Sequence, residues 1–86
     1  TGLALDASGN LYIADSVNHR VLFYPAGTTT ATRVYGQLGS FTSNTANNGG
    51  ITANSLNTPF SITLDKENKL YVADNGNNRI VVFYVP

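Results

Sequence analysis

The sequence predicts an all-β fold assembled from small antiparallel sheets. Three features carry that expectation: a segment that repeats at an offset of 59 residues, short strands punctuated by tight turns, and strands that are apolar at successive positions.

The repeat is the most informative of the three, because self-similarity at a fixed offset is the signature of stacked structural units. The offset places Leu5-Asp6 on Leu64-Asp65, Leu11-Tyr12 on Leu70-Tyr71, Ala14-Asp15 on Ala73-Asp74, Asn18 on Asn77 and Arg20 on Arg79. Leu3 and Ile62, Ile13 and Val72, and Val21 and Ile80 are conservative pairs between those identities.

Each copy reads as three short strands, over residues 2–6, 11–15 and 20–24 in the first and 61–65, 70–74 and 79–84 in the second. All are rich in Val, Ile, Leu, Tyr and Phe, which suit a pleated buried surface. Between the first two strands, Asp6-Ala7-Ser8-Gly9-Asn10 is a tight-turn sequence in which Gly9 takes the left-handed conformation. The matching turn, 65–69, carries Asn68 at that place, the next most tolerant residue for positive φ. A fourth strand over about 32–35 completes the first copy, and the second copy stops at Pro86 without one.

Leu11-Tyr12-Ile13-Ala14 and Val21-Leu22-Phe23-Tyr24 are apolar at consecutive positions, so both faces of each sheet must be covered. Helical crossovers are excluded, since connections of about 4 to 5 residues are far below the dozen that a parallel crossover needs. Small antiparallel meanders buried on both faces and repeated along the chain describe β-propeller blades stacked around an axis. A β-sandwich is the runner-up, and it would leave polar outer faces that these strands do not have.

The same residues carry a resemblance to the NHL-repeat family. Pro59-Phe60-Ser61-Ile62-Thr63-Leu64-Asp65 and Thr1-Gly2-Leu3-Ala4-Leu5-Asp6 resemble the family's inner strand. Asn10-Leu11-Tyr12-Ile13-Ala14-Asp15 and Lys69-Leu70-Tyr71-Val72-Ala73-Asp74 resemble its second. Asp15-Ser16-Val17-Asn18-His19-Arg20-Val21 and Asp74-Asn75-Gly76-Asn77-Asn78-Arg79-Ile80 share its pattern of Asp, two variable residues, Asn, one variable residue, Arg and an aliphatic. The resemblance covers roughly two-thirds of the chain. Two departures are Ser61, where the family usually has Gly, and a long insertion between the copies.

The expected organisation is therefore a first four-stranded blade over residues 1–36, an inter-blade loop over 37–58, and a three-stranded second blade over 59–86 that lacks its outermost strand. Two adjacent blades cover one face each. At about 25 cal/mol per Å² of apolar surface, two wet outer faces would cost more than the ~5 to 15 kcal/mol by which small proteins are stable. Further blades are expected, from a longer parent chain or from identical chains closing a ring. A first residue of Thr rather than Met points to a processed or excised chain.

Asp15, Asn18 and Arg20, repeated as Asp74, Asn77 and Arg79, read as turn scaffolding: Asp and Asn cap tight turns, and Arg ties the turn to a neighbour through bidentate hydrogen bonds. Identical residues recur in both copies, as scaffold positions should. The 74–78 turn has oxygens in number but lacks the carboxylates of an EF-hand loop, so no calcium site is expected. His19 has no second His or Cys to join it at a metal, and a solvated position on an exposed turn is expected. Tyr12 and Tyr71 are expected in the core.

The insertion is the segment that a blade does not explain, and connections longer than about 12 to 15 residues tend to be binding loops or disordered. The family resemblance implies that it lies on the propeller face that binds ligands. Phe41, Asn44, Asn47, Asn48 and Asn54 would then offer an aromatic platform and amide hydrogen bonds to a glycan or peptide. A loop that covers the neighbouring blade is the alternative.

A net charge of zero with 12% charged residues speaks against nucleic acid as a partner, and no apolar run approaches a membrane span. No Ser-His-Asp set, metal cluster, phosphate loop or acid–base pair can be assembled. The leading expectation is a non-catalytic scaffold or binding module, extracellular or at the cell surface, without cofactor, holding a protein or carbohydrate. The resemblance implies a second reading, since such propellers include metal-dependent lyases whose ligands come from several blades. A third is self-assembly into rings or filaments through exposed blade faces.

Overall fold

The computed structural model describes residues 2–84, and these form two antiparallel sheets with no α-helix among the described residues. The first sheet runs in the order β1 (Leu3–Leu5), β2 (Leu11–Asp15), β3 (Arg20–Tyr24) and β4 (Arg33–Gly36). The second is β5 (Pro59–Leu64), β6 (Lys69–Asp74) and β7 (Arg79–Tyr84). The chain is all-β, and within each sheet every strand neighbours the next in sequence, so its two units are meanders, as propeller blades are. β4 begins one residue later than expected and β5 two residues earlier, the latter through a register shift between Pro59 and Ser61 that turns Phe60 outward.

The turns form as their residues dictate. Asp6 accepts the main-chain N–H groups of Ser8 and Asn10 at 3.0 and 2.9 Å, and Asp65 accepts those of Glu67 and Lys69 at 2.9 and 2.8 Å. The residue that closes each turn lies in the left-handed region, Gly9 at φ 84° and Asn68 at φ 60°.

The core lies between the sheets. Tyr12, Val21 and Phe23 of the first sheet meet Ile62, Leu70, Val72 and Val81 of the second, with Leu56 from the loop completing the cluster. Tyr12 and Phe23 make an edge-on ring pair with centroids 4.9 Å apart, and Tyr35 reaches Phe83 across the interface at 5.1 Å.

The repeat relates this buried interface to the two outer faces. Shifting Tyr12, Val21 and Phe23 by the repeat offset gives Tyr71, Ile80 and Val82, which sit on the outer side of the second sheet. Shifting Ile62, Val72 and Val81 back gives Leu3, Ile13 and Leu22, on the outer side of the first. Each sheet thus buries against its neighbour the face that its counterpart turns outward. Leu3, Leu5, Ile80 and Tyr84 are 56%, 63%, 64% and 80% exposed, so apolar surface remains on both sides of the pair.

Candidate functional site

At one end of the sheets, the β2–β3 and β6–β7 connections are short 3₁₀ turns, over Ser16–Asn18 and Asn75–Asn77. Each closes through a residue in the left-handed region, His19 at φ 56° and Asn78 at φ 53°. In the first turn both Asp15 oxygens accept from Asn18 Nδ2, and Arg20 Nε donates to Asp15 Oδ2 at 2.8 Å. Burial pushes the Asp15 carboxyl up, but the bonds from Asn18 and Arg20 outweigh it and hold the group below its ordinary value.

The second turn repeats the arrangement more deeply. Asn77 Nδ2 and Arg79 Nε both donate to Asp74 Oδ2 at 2.8 Å, and the Asn57 N–H donates to Asp74 Oδ1 at 2.7 Å. Asp74 is fully buried, whereas the Asp15 side chain keeps 26% of its surface open. Both arginines also reach the loop: Arg20 donates to the Phe41 carbonyl, and Arg79 to the carbonyl and hydroxyl of Ser55.

The loop from Gln37 to Thr58 is fastened at both ends and in the middle. Gln37 is 1% exposed. Its Nε2 donates to the carbonyls of Asn18, His19 and Thr45, and its Oε1 accepts from the Thr45 N–H and Asn48 Nδ2. Asn47 and Asn77 exchange reciprocal amide bonds at 2.9 and 2.7 Å. Leu56 is buried in the inter-sheet core while its carbonyl accepts the Asn47 N–H. The Ser16 hydroxyl donates to the Pro59 carbonyl, and the Asn57 carbonyl accepts the Gly76 N–H.

His19 is not solvated as expected from its turn. It is half-buried, and its Nδ1 accepts the Thr58 N–H at 2.9 Å, so the imidazole joins the first turn to the start of the second sheet. Tyr71 is half-buried on the outer face and donates to Asp65, while Tyr12 lies in the core.

The five proposed ligand residues divide into two groups. Phe41, Asn44 and Asn54 are exposed; Asn47 and Asn48 are half-buried, with their amides engaged by Asn77 and Gln37. Leu38 and Ile51 project from the same loop at 68% and 69% exposure. Sequence reasoning missed Gln37, Ser55, Leu56 and Asn57 as anchors. The single Gln of the loop, and one Leu set among the polar residues at its C-terminal end, were the available signal.

Beside the loop, a cleft of about 580 Å³ opens between β4 and β7, lined by Val34, Tyr35, Gly36, Leu38, Val82, Phe83 and Tyr84 among others. A second hollow of about 340 Å³ continues it past Arg33 and Phe41. Arg33 stacks on Phe23 with its guanidinium carbon 4.1 Å from the ring centroid. Buried Arg33 Nη1 and the Tyr35 hydroxyl have no hydrogen-bond partner.

A family model described as NHL repeat matches residues 1–23 and 56–83, the two stretches that build the turns and strands above. The chain belongs to the NHL-repeat family. No curated protein matches it. The second matched stretch begins at Leu56, so the NHL unit includes the loop residues that enter the core, and the unmatched stretch contains β4 and the loop as far as Ser55. An NHL repeat is a β-propeller module, and the two sheets here are blades of one.

Proposed function

We propose that this chain is the binding part of a non-catalytic NHL propeller and that residues 38–54 hold a protein or carbohydrate ligand. One observation supports the reading above others: the loop's backbone is tied down by Gln37, Asn47, Ser55 and Leu56 while Leu38, Phe41 and Ile51 point outward. Large apolar side chains on a held backbone lose little conformational freedom when a partner covers them, which favours binding. Exposed Asn44 and Asn54 add amide donors and acceptors beside them.

The test presents the folded chain to glycan and peptide panels and repeats any positive with the double variant Phe41→Ala, Ile51→Ala. Affinity should fall at least about tenfold, roughly 1.4 kcal/mol, with unchanged amide protection in the strands. Equal binding by parent and variant would remove these residues from the interface and the proposal with them.

A further inference from the structure

We propose that Asn48 is a self-modification site: the Gly49 main-chain nitrogen displaces the side-chain amide, and the carboxylate left behind undoes the clamp that Gln37 places on the loop. An Asn followed by Gly is suited to this reaction, because glycine puts no side chain in the way of the attacking nitrogen. The chain contains two such pairs, Asn48-Gly49 and Asn75-Gly76. Their hydrogen bonding separates them.

At Asn75 the nucleophile is engaged. The Gly76 N–H donates to the Asn57 carbonyl at 2.8 Å, and the Asn78 N–H closes the 3₁₀ turn on the Asn75 carbonyl at 3.2 Å. A Cβ at Gly76 would lie 2.6 Å from that same Asn57 carbonyl, so the turn has little room to swing. At Asn48 the nucleophile is free. The Gly50 N–H donates to the Asn47 carbonyl at 2.7 Å, which makes Asn48 and Gly49 the central pair of a β-turn, with Gly49 at φ 83°. The Gly49 N–H has no acceptor among the described residues, and Gly49 and Gly50 are both exposed.

The reaction needs no oxidant or reductant. The Gly49 nitrogen bonds to Asn48 Cγ, the Cγ–Nδ2 bond breaks, and the proton from Gly49 goes to the departing nitrogen, which leaves as ammonia. A cyclic imide remains, and water, the co-reactant, opens it. Opening at Cγ leaves aspartate. Opening at the Asn48 main-chain carbonyl carbon leaves isoaspartate, in which the chain runs through the side chain and gains a methylene. Either product carries a negative charge where a neutral amide stood, in a chain whose formal net charge is zero.

The new charge falls on the loop's main anchor. Asn48 Nδ2 donates to Gln37 Oε1 at 3.3 Å, beside the Thr45 N–H, which donates to the same oxygen at 3.0 Å. A carboxylate in place of the amide sets two acceptors against each other with no proton between them. Turning the Gln37 amide over gives no relief, because Oε1 would then face the carbonyls of Asn18, His19 and Thr45. Gln37 is 1% exposed, so water screens its side of the contact little. Conversion therefore loosens the loop at Gln37 and leaves the strands paired. It requires no ligand on the loop.

The experiment incubates the 86-residue chain at neutral pH, in buffer and in urea, and maps its peptides by mass spectrometry for amide-to-acid conversion and isoaspartate at each asparagine. In buffer Asn48 should convert at least about tenfold faster than Asn75, since attack by the Gly76 nitrogen first requires its own hydrogen bond and that of the turn to break. In urea, where both nitrogens are free, the two rates should converge. The variant Asn48→Asp, which fixes one of the products, should speed exchange of the Thr45 amide hydrogen at least about tenfold while the amides of β2 and β6 keep their protection. Equal rates in buffer, or a faster Asn75, overturn the assignment of the site. A rate ratio that persists in urea traces the difference to flanking residues and overturns its structural cause. Unchanged Thr45 protection in Asn48→Asp overturns the release of the clamp.

Discussion

Asp15 and Asp74 make the same contacts within their turns but differ in burial, so truncating each in turn separates what the motif contributes from what its surroundings add. Asp74→Ala removes acceptors from Asn77, Arg79 and the part-buried N–H of Asn57. Leaving a buried donor unmatched costs about 1–3 kcal/mol, and breaking a buried ion pair about 3–5 kcal/mol. Because the Arg79 side chain keeps 27% of its surface open, it can rehydrate in part. The low end, about 3 kcal/mol, applies.

Asp15→Ala removes bonds from Asn18 and Arg20 only, at a carboxylate 26% exposed. About 1 kcal/mol is expected there. Urea unfolding followed by circular dichroism reads the difference: with a slope near 1 kcal/mol per M for a small domain, the two midpoints should separate by about 2 M. Midpoints equal within about 0.5 M would refute the assignment of burial as the deciding variable.

Three further outcomes follow from the same contacts. Gly76→Val, which installs the residue found at the equivalent Val17, should destabilise by about 1–3 kcal/mol, because a Cβ at Gly76 would lie 2.6 Å from the Asn57 carbonyl while Val17 stands 84% exposed; a thermal midpoint equal to the parent's would contradict that packing. Leu56→Ala should cost about 2–5 kcal/mol against less than about 0.5 kcal/mol for Ile51→Ala in the same loop, and matching urea midpoints for the two would show that the loop is not a core element. The Asp15 carboxyl titrates below its ordinary value of 3.8 when folded, so its contribution is fully present above that pH and is lost as pH falls through the folded value. Asp6, held down chiefly by the Asn10 side chain, and Asp65, held down chiefly by the Lys69 N–H, act in the same direction. Urea midpoints should therefore decline between about pH 4 and pH 2, less steeply in Asp15→Asn; a flat profile would count against these bonds.

Blade architecture was legible because its signals are local or repeated. Gly9 and Asn68 announce the same turn, the consecutive apolar residues of 11–14 and 21–24 demand cover on both faces, and the offset of 59 residues places each element twice. Asp15, Asn18 and Arg20 lie within five positions of one another, so their grouping in one turn was legible; that Asp15 accepts from the two side chains instead of capping the turn, and that Arg20 reaches the loop by a single bond instead of a bidentate tie, was not.

Partners far apart in the chain left no such trace. His19 meets Thr58 across 39 positions, Asn47 meets Asn77 across 30, and Ser16 meets Pro59 across 43. A histidine on a turn and an asparagine in a polar loop read as solvated until the fold brings an acceptor or donor beside them, because hydrogen-bonding capacity does not state its own target. Sequence by itself determined that there are two blades, where their strands run and which turns join them. Tertiary structure alone decided that the loop enters the core through Leu56, that Gln37 and Asp74 are buried, and that Gly76 must stay small where Val17 need not. Those outcomes depend on which surfaces come within van der Waals reach when one sheet stacks on the other, and stacking is a property of the whole chain.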